Sequence, residues 1–334
     1  MPKDVLYYTT KMAKKQSQKI IVVVGPTSSG KSDLGIRLAQ KFNGEIISAD
    51  SRQVYRGMDI GTGKVTKKEQ KMAVHHLLDV ISPKKQFTAD DFKKLGQKAI
   101  NDVQHRYKIP VIVGGTGFYV DVLLGKASIA EVPPNKKLRA KLEKQSAEQL
   151  FKQLNRLDLR RARTIDCKNK RRLIRALEII MTTNKPVPAI KKQNAIFRVL
   201  WLGLRPKDLE KKIKLRLDTR LKQGMVKEVK NLLKSGVSKK RLYDFGLEYR
   251  QISEYLASEK PAPYESKASR SGFKVKSVKS FRKSEHYQKL LREIIKYSKR
   301  QMTWFKRNKE IHWINPSAEG QKEAKGLVDK FLAD

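Results

Sequence analysis

The sequence predicts an α/β protein with a parallel sheet, a phosphate-binding loop and an inserted helical domain. Apolar β-branched segments alternate with helical patterns, and a glycine loop joins the first of these segments to a helix. Between residues 125 and 194 the strand signals give way to helix-rich, strongly basic sequence. We therefore expect a P-loop NTPase-like catalytic core at 18–128 and 196–334, with a helical insertion domain at 129–195.

Four apolar segments are the expected strands of the core, at 20–24, 45–48, 110–113 and 198–202. Long helical patterns follow from Lys207 onward. The segment 258–286 mixes proline, serine and glycine with many lysines and arginines, which predicts a flexible basic loop. Its role stays open between an arm that contacts phosphates and a solvated insertion.

The segment GPTSSGKS has the spacing of a phosphate-binding loop, follows the apolar run IIVVV and opens an amphipathic helix. Its glycines permit a tight turn with inward N–H groups, Lys31 adds a point charge, and the helix presents its positive end. We expect the loop to hold a diphosphate, with Ser32 reaching a Mg²⁺ ion that bridges the phosphate oxygens. The residues of this expected site are Gly25, Pro26, Thr27, Ser28, Ser29, Gly30, Lys31 and Ser32.

A large positive charge indicates a polyanionic partner. The 334 residues include 75 lysines and arginines against 33 acidic residues, a net charge of +42, and 39% are hydrophobic. That much charge destabilises a compact chain unless a polyanion binds it, so nucleic acid is the leading candidate.

Cysteine content and hydropathy indicate the compartment. Cys167 is the single cysteine of the sequence, which excludes a disulfide framework and a cysteine-based zinc site. No apolar run reaches the length of about 18 residues that a membrane span needs, and the basic start lacks an apolar signal core. We therefore expect a cytoplasmic protein with no membrane partner.

The second core strand does not end as it does in conventional P-loop hydrolases and kinases, where an acidic residue helps to hold magnesium. The segment IPVIVGGTGFY continues into two glycines and Thr116. The nearest strand-ending acid is Asp50, in EIISADSRQVYRGMDIGTG, where the residues that follow favour a substrate-recognition loop. This pattern weakens an ATPase interpretation.

Seven motifs, taken together, resemble the tRNA dimethylallyltransferases, also called tRNA isopentenyltransferases, in their order and approximate spacing. They are GPTSSGKS, SADSRQVYRGMDIGTGK, HHLLDVISP, PVIVGGTGFY, RRLIRALE, FGLEYRQ and SKRQMTWFKR. Enzymes of that family transfer the dimethylallyl group from dimethylallyl diphosphate to the N6 amine of the adenosine 3′ of the anticodon. The resemblance implies the same activity here, with dimethylallyl diphosphate and the anticodon loop of tRNA as partners; we expect a monomer.

The resemblance also assigns catalytic roles. Asp50 is similar to the family's general base, Thr116 to a position at the catalytic centre, and Arg216 to a diphosphate-binding arginine. Lys212, Arg216 and Arg220 share one helical face, and we favour Arg216 over Arg220. Structural alternatives stay open: a magnesium ligand or loop cap for Asp50, a turn-capping hydroxyl for Thr116 and a solvated basic face for the arginines.

The resemblance implies a set of tRNA contacts, some of them in the insertion domain at 129–195. They are Asp50, Ser51, Arg52, Gln53, Thr116, Arg139, Arg171, Arg172, Arg175, Gly246, Tyr249 and Arg250. Arg171 and Arg175 are one helical turn apart and would project together. Tyr249 could stack on a base or be a core tyrosine. An adenine amine within a stacked loop is poorly reachable, so we expect the base to be flipped out.

Two other features favour structural roles. Trp304, in SKRQMTWFKR, has the cationic neighbours of a stacking platform, but its helical spacing favours the core. The adjacent side chains of His75 and His76 diverge, and the sequence offers no third ligand, so packing or hydrogen bonding is preferred to metal binding.

The sequence departs from the family at the long 258–286 segment, and at Ser32, which stands where threonine is frequent and keeps the hydroxyl. Two interpretations from other classes remain: a P-loop nucleoside or nucleotide kinase, and a non-catalytic RNA-binding protein. The kinase would want an acid after the second core strand and would not need the net charge of +42. The binding protein would not need Asp50 and Thr116 beside the phosphate loop.

Overall fold

A computed structural model of the chain describes residues 19–127, 129–130, 132–188, 197–258 and 278–334. The chain divides into two compact units. The core unit comprises the described residues up to Leu124 and from residue 197 onward, and the insertion unit comprises those from Gly125 to residue 188. Within the described ranges, the helices are all too short or too polar to cross a bilayer.

A sheet of six parallel strands, counted over the described residues, forms the centre of the core unit, in the order β3-β2-β4-β1-β5-β6. The strands are β1 (Lys19–Val24), β2 (Gly44–Ser48), β3 (His75–His76), β4 (Ile109–Gly114), β5 (Arg198–Leu204) and β6 (Ile311–Ile314). The predicted α/β class and the four predicted strands are confirmed. The sequence did not predict β3 or β6, because each is too short to carry a period of its own.

The helices are α1 (Lys31–Lys41), α2 (Lys67–Met72), α3 (Ala89–His105), α4 (Gly117–Leu123), α5 (Lys136–Glu143), α6 (Ala147–Leu157), α7 (Leu159–Ala162), α8 (Lys170–Thr183), α9 (Leu209–Lys222), α10 (Met225–Lys234), α11 (Lys239–Phe245), α12 (Leu247–Ser258), α13 (Val278–Lys283), α14 (Glu285–Phe305) and α15 (Ala318–Ala333). Helices α5 to α8 belong to the insertion unit, and the others belong to the core unit.

Every residue of β1 is buried, as a parallel strand covered on both faces requires. Its side chains alternate between two apolar clusters: Ile20 and Val22 belong to one, and Ile21 and Val23 belong to the other. Each such side chain contributes roughly 1.5–3 kcal/mol by leaving water. The strand ends that carry the candidate site are therefore held on a rigid support.

Part of the segment expected to be a flexible basic loop is helical. Helices α13 and α14 cover 278–283 and residues from 285 onward, so the prediction is wrong for 278–286, while 259–277 lies outside the described residues. Phe281 is buried against Tyr255, and Ser284 caps α14 by accepting a hydrogen bond from the N–H of Tyr287. One buried aromatic residue, Phe281, and one capping serine among many lysines are too weak a sequence pattern to predict these helices.

The insertion unit has its own apolar core. Leu173, Ile174 and Leu177 of α8 are buried. They pack with Leu150 and Leu154 of α6. The exposed face of α8 carries Arg171 and Arg172.

Candidate active site

The phosphate-binding loop joins β1 to α1 and leaves the start of that helix open. Gly30 lies at the N-cap of α1 with a φ of +90°, a conformation that glycine adopts without steric cost, and it offers no side-chain cap. The loop is turned by a hydrogen bond from the N–H of Ser29 to the carbonyl of Pro26, at 3.3 Å. The first N–H groups of α1 are thus arranged as an anion-binding helix N-terminus requires.

Lys31 adds a cation that lacks an acidic partner at hydrogen-bonding distance among the described residues. Its Nζ donates to the carbonyl of Pro26 at 3.2 Å. Burial of the ammonium group, followed by the positive charge of Arg216, lowers the pKa of Lys31 to about 8. A bound anion would offset both effects, so the loop favours a negatively charged ligand.

Helix α9 supplies two arginines one turn apart, on one face as predicted. Arg216 donates to the carbonyl of Gly63 at 3.3 Å, and its burial, with the neighbouring charge of Arg220, lowers its pKa to about 10. Arg220 donates to the carbonyl of Gly61 and to Oε1 of Glu248, at 3.4 and 3.3 Å. Arg220 has a carboxylate partner and Arg216 has a carbonyl, which favours Arg216 as the residue that meets a phosphate.

Glu248 was not among the residues predicted from the sequence. It lies next to Tyr249 in FGLEYRQ, and burial raises the pKa of its carboxyl group. The charge of Arg220 acts in the opposite sense and favours the carboxylate. No local pattern could have separated this glutamate from the exposed acids of other helices.

Asp50 follows the end of β2 and lies beside the phosphate-binding loop. Its Oδ1 accepts hydrogen bonds from the N–H groups of Arg52, at 2.8 Å, and Gln53, at 3.3 Å, so the loop-cap alternative describes one of its oxygens. The carboxylate also lines a cavity of about 20 Å³ together with Lys31 and Ser32. Asp50 can therefore cap its own loop and face a bound phosphate compound.

Thr116 connects the end of β4 to the loop of residues 49–53 that follows β2, which we call the Asp50 loop. Its Oγ1 accepts from the N–H of Ser51 at 3.2 Å, and its own N–H donates to the carbonyl of Ala49 at 3.2 Å. The hydroxyl does not cap helix α4, at whose N-cap Thr116 lies, and its bond instead reaches the residue after Asp50. The same contact holds Thr116 against the residue that follows Asp50, where the sequence placed a catalytic centre.

A tyrosine that was not predicted as a site residue lies close to Asp50. Tyr297 of α14 has its pKa raised to about 12, by burial first and then by the negative charge of Asp50. It is neutral at physiological pH and contributes an apolar wall with one polar tip.

A Mg²⁺ ion stays a prediction for this site, and it would need oxygen ligands from a phosphate compound as well as from the protein. Ser32, Ser48 and Asp50 line one cavity and carry side-chain oxygen atoms, which hard cations prefer as ligands. Over the described ranges, no group of three or more histidine, cysteine, aspartate or glutamate side chains could hold a metal ion. Ser32 is the residue that would hold Mg²⁺, with substrate phosphate oxygens completing the shell.

His75 and His76 make hydrogen bonds, as the sequence favoured. Nδ1 of His75 lies 2.8 Å from the carbonyl of Ala73, and Nε2 of His76 lies 2.7 Å from Oε2 of Glu45. The side chains of both histidines therefore bond protein groups next to strand β3, which the two residues form.

Helix α14 brings two side chains of SKRQMTWFKR onto the loops of the site. Oε1 of Gln301 accepts from the N–H of Thr27 at 2.9 Å, and its Nε2 donates to the carbonyl of Gly115 at 2.8 Å. Trp304 donates from Nε1 to Asp121 at 2.9 Å and packs against Gly117, in line with the structural role preferred for it. Gln301 was not predicted from the sequence, because its partners lie 274 and 186 residues away along the chain.

Of the tRNA contacts expected in the core unit, several are held by protein groups. Nε of Arg52 donates to the carbonyl of Phe245 at 3.0 Å, and Nε2 of Gln53 donates to that of Gly63 at 3.3 Å. Arg250 donates to both carboxylate oxygens of Glu293 at 2.7 Å. These bonds fix the side chains near the Asp50 loop and the start of α12, and contact with tRNA stays a prediction for them, as it does for Ser51 and Gly246.

The stacking interpretation of Tyr249 is wrong, and its core alternative holds. The residue is 1% exposed, and its ring lies against Phe245 with 5.9 Å between centroids. Its hydroxyl donates to Oε1 of Glu228 at 2.8 Å. An amphipathic sequence pattern does not show whether the ring of a tyrosine is open to a ligand. Here both faces of the Tyr249 ring are covered by protein.

In the insertion unit, two of the expected tRNA contacts share a buried carboxylate. Arg139 donates from Nε and Nη2 to both oxygens of Glu178 at 2.7 Å, and Arg175 donates from Nη1 to Oε2 at 2.6 Å. Burial would raise the pKa of Glu178, but the hydrogen bonds from these arginines outweigh it and leave a pKa of about 2. Arg171 and Arg172 are exposed on the same helix, and contact of all four arginines with tRNA stays a prediction.

The chain resembles known proteins over nearly its whole length. A model of the IPP transferase family matches residues 53–308. The tRNA dimethylallyltransferase 1 of Geotalea uraniireducens is 36% identical over 318 residues, which cover 93% of this chain and 97% of the relative. The tRNA dimethylallyltransferase 2 of Shewanella sediminis is 38% identical over 314 residues, which cover 91% and 96%.

The fold is similar to that of a solved structure with a related name. The crystal structure of the tRNA isopentenylpyrophosphate transferase from Bacillus halodurans gives a TM-score of 0.65 at 28% identity, covering 95% of this chain and 97% of that one. The similarity extends over both units of the chain.

Proposed function

Because the chain belongs to the tRNA dimethylallyltransferase family, and is thus a prenyltransferase that acts on tRNA, we propose the donor, the acceptor atom and the roles of its residues. The dimethylallyl group of dimethylallyl diphosphate passes to the exocyclic N6 amine of the adenosine 3′ of the anticodon, and diphosphate leaves. The observation that carries this proposal is the cavity that Lys31, Ser32 and Asp50 line together, which places an acidic residue beside the phosphate-binding loop.

The cradle acts on the leaving group. As the bond between the allylic carbon and oxygen breaks, its electron pair moves onto the diphosphate, so negative charge grows there. The N–H groups of the loop, Lys31 and Arg216 stabilise that charge, and they do so most strongly because burial keeps water from screening them. Mg²⁺ bound to the diphosphate and Ser32 would supply further positive charge at the same oxygens.

The carboxylate acts on the nucleophile. The lone pair of N6 forms the new bond to the allylic carbon, and the amine becomes acidic as that bond forms, so a carboxylate suffices to accept its proton. Asp50 is the proposed base, because one of its oxygens is held by two backbone N–H groups and the carboxylate lines the cavity. Thr116 holds the Asp50 loop from the neighbouring strand end.

The test is incubation of the purified protein with unmodified tRNA, Mg²⁺ and either dimethylallyl diphosphate or ATP, followed by nucleoside mass spectrometry. We expect an isopentenyl mass increment on adenosine that depends on the prenyl donor, and RNase mapping to place it next to the anticodon. An increment at another position would contradict the acceptor. Phosphate released from ATP without any increment would favour the kinase class instead.

The Asp50→Asn variant separates the base from the loop cap. Asparagine keeps an Oδ1 that accepts from Arg52 and Gln53, but it cannot take a proton at neutral pH. We expect transfer to fall by about 100-fold or more, with tRNA affinity little changed. Near-normal turnover of Asp50→Asn together with loss of activity in Asp50→Ala would make Asp50 a cap only.

A further inference from the structure

A buried side chain in α14 connects the two loops that the proposed reaction must bring together. Gln301 is 7% exposed, and it bonds the phosphate-binding loop through Thr27 and the end of β4 through Gly115. The first loop would hold the donor. The second leads directly into Thr116, which holds the Asp50 loop.

The contact is specific for an amide. The N–H of Thr27 can only donate and the carbonyl of Gly115 can only accept, so Gln301 must present Oε1 to one and Nε2 to the other. A glutamate keeps the acceptor but sets an oxygen against the carbonyl of Gly115. An apolar side chain leaves a buried donor and a buried acceptor without partners, which a folded protein tolerates poorly.

The surrounding residues are shaped around this contact. A Cβ at Gly115 would overlap Nε2 of Gln301, so only glycine lets the amide reach that carbonyl. One helical turn further, Trp304 lies against Gly117 and donates to Asp121. Helix α14 therefore contacts the turn around Thr116 through both Gln301 and Trp304. Gln301 also bonds the phosphate-binding loop.

Resting on the proposed function, we propose that Gln301 is a positioning residue for prenyl transfer. It fixes the phosphate-binding loop relative to the Thr116 and Asp50 loops, and so sets the distance between the allylic carbon and the attacking amine. It touches neither reacting atom. Its removal should impair the chemical step more than the binding of either substrate, because misplacement by about 1 Å can cost two orders of magnitude in rate.

The experiment compares Gln301→Leu and Gln301→Glu with wild type and with Ser298→Ala. Ser298 is a matched control: it is 1% exposed, lies one turn earlier on α14, and donates only to Ile295 of its own helix. Steady-state kinetics give kcat and both KM values, calorimetry with inorganic pyrophosphate and filter binding of tRNA give the separate affinities, and thermal melting reports folding.

We expect kcat of Gln301→Leu to fall about 30- to 100-fold, with pyrophosphate and tRNA affinities within about threefold of wild type. The kcat of Gln301→Glu should lie between those of wild type and Gln301→Leu, because glutamate keeps the bond to Thr27. Ser298→Ala should keep its kcat while its melting temperature falls like that of the glutamine variants. If Gln301→Leu is unfolded, the Gln301→Glu result decides.

Two results would overturn the inference. Unchanged kcat in folded Gln301→Leu, or in Gln301→Glu where the leucine variant is unfolded, would show that the bridge does not affect the reaction. Loss of pyrophosphate affinity equal to the loss of kcat/KM would make Gln301 part of donor binding rather than of positioning. Both results require that the wild-type protein transfers the prenyl group. Failure of the proposed function would therefore be seen in the wild-type assay, before any variant is compared.

Discussion

The cations around the phosphate-binding loop and those that surround Glu178 in the insertion unit have opposite kinds of partner. Around the phosphate-binding loop, Lys31 and Arg216 contact backbone carbonyls, and their pKa values are lowered to about 8 and about 10. In the insertion unit, Arg139 and Arg175 enclose Glu178, whose pKa is about 2. Cations whose hydrogen bonds go to carbonyl groups favour an anionic ligand, whereas cations paired with a carboxylate stabilise the fold.

The largest expected effect would come from removing Arg216, the site arginine that contacts a carbonyl rather than a carboxylate. Arg216→Met keeps the length and apolar stem but removes the charge that faces the leaving group. We expect kcat/KM for the prenyl donor to fall about 1,000-fold, roughly 4 kcal/mol, while the melting temperature is unchanged or rises. Steady-state kinetics and differential scanning fluorimetry measure the two. A strong loss of stability would place Arg216 with the structural arginines instead.

The counterpart in the insertion unit is Glu178→Gln, which should act on stability instead. Removing the carboxylate leaves two partly buried arginines without their counter-charge, which costs about 3 kcal/mol in the free energy of unfolding. Urea denaturation of wild type and variant checks this value, with Glu148→Gln as the control, because Glu148 is fully exposed. Pyrophosphate affinity should not change in Glu178→Gln. A changed affinity would show that this carboxylate affects ligand binding as well as stability.

The same carboxylate predicts an acid dependence of stability. The pKa of Glu178 is lowered from 4.5 to about 2, so its contribution is present above pH 4.5 and is lost as the pH falls towards 2. Wild type should therefore lose more stability than Glu178→Gln over this window. Parallel pH profiles of the two melting temperatures would contradict the assignment.

Lys31 predicts an opposite, alkaline dependence in ligand binding. Below pH 8 the ammonium is charged and pyrophosphate binds without taking up a proton there. Above pH 8 binding must first restore that proton, so affinity should fall by up to tenfold per pH unit. Calorimetry between pH 7.5 and 9.5 tests this. Lys31→Arg, which stays charged, should show only the change that the ionisation of pyrophosphate itself produces, and a wild-type profile that matches it would remove Lys31 from the cradle.

The smallest effect is expected at the exposed arginines of α8. Arg171→Ala with Arg172→Ala should weaken tRNA binding several-fold and reduce the slope of log K against log salt by about 0.7–0.9 for each phosphate that is no longer neutralised. Arg175→Ala tests whether an arginine bonded to Glu178 also reaches the RNA. A drop in its melting temperature with an unchanged salt slope would restrict it to a structural role.

Much of the fold and part of the site follow from local sequence. The buried β1 and the loop GPTSSGKS are recognisable within a dozen residues, because strand, turn and helix signals are contiguous there. Strand β3, of two residues, carries no period, and neither does the amide of Gln301 on an ordinary amphipathic helix. Resemblance to a family supplied roles for Asp50 and Arg216 that spacing alone left open.

Side-chain orientation was the other limit. Tyr249 and Arg139 have residue types suited to RNA, yet the first is enclosed by the core and the second faces a carboxylate distant in sequence. Both outcomes depend on long-range packing, which composition and periodicity do not encode.

The hydrogen bond between Gln301 and Thr27 spans 274 residues. A ribosome adding about 5–20 residues per second needs roughly 14–55 s to make that interval. During this time the glycine-rich loop is complete in sequence but lacks the helix that links it to its neighbouring strand end. A nascent chain therefore has the contact proposed to set its transfer geometry only after Gln301 has been made, so products truncated before α14 should be unable to modify RNA.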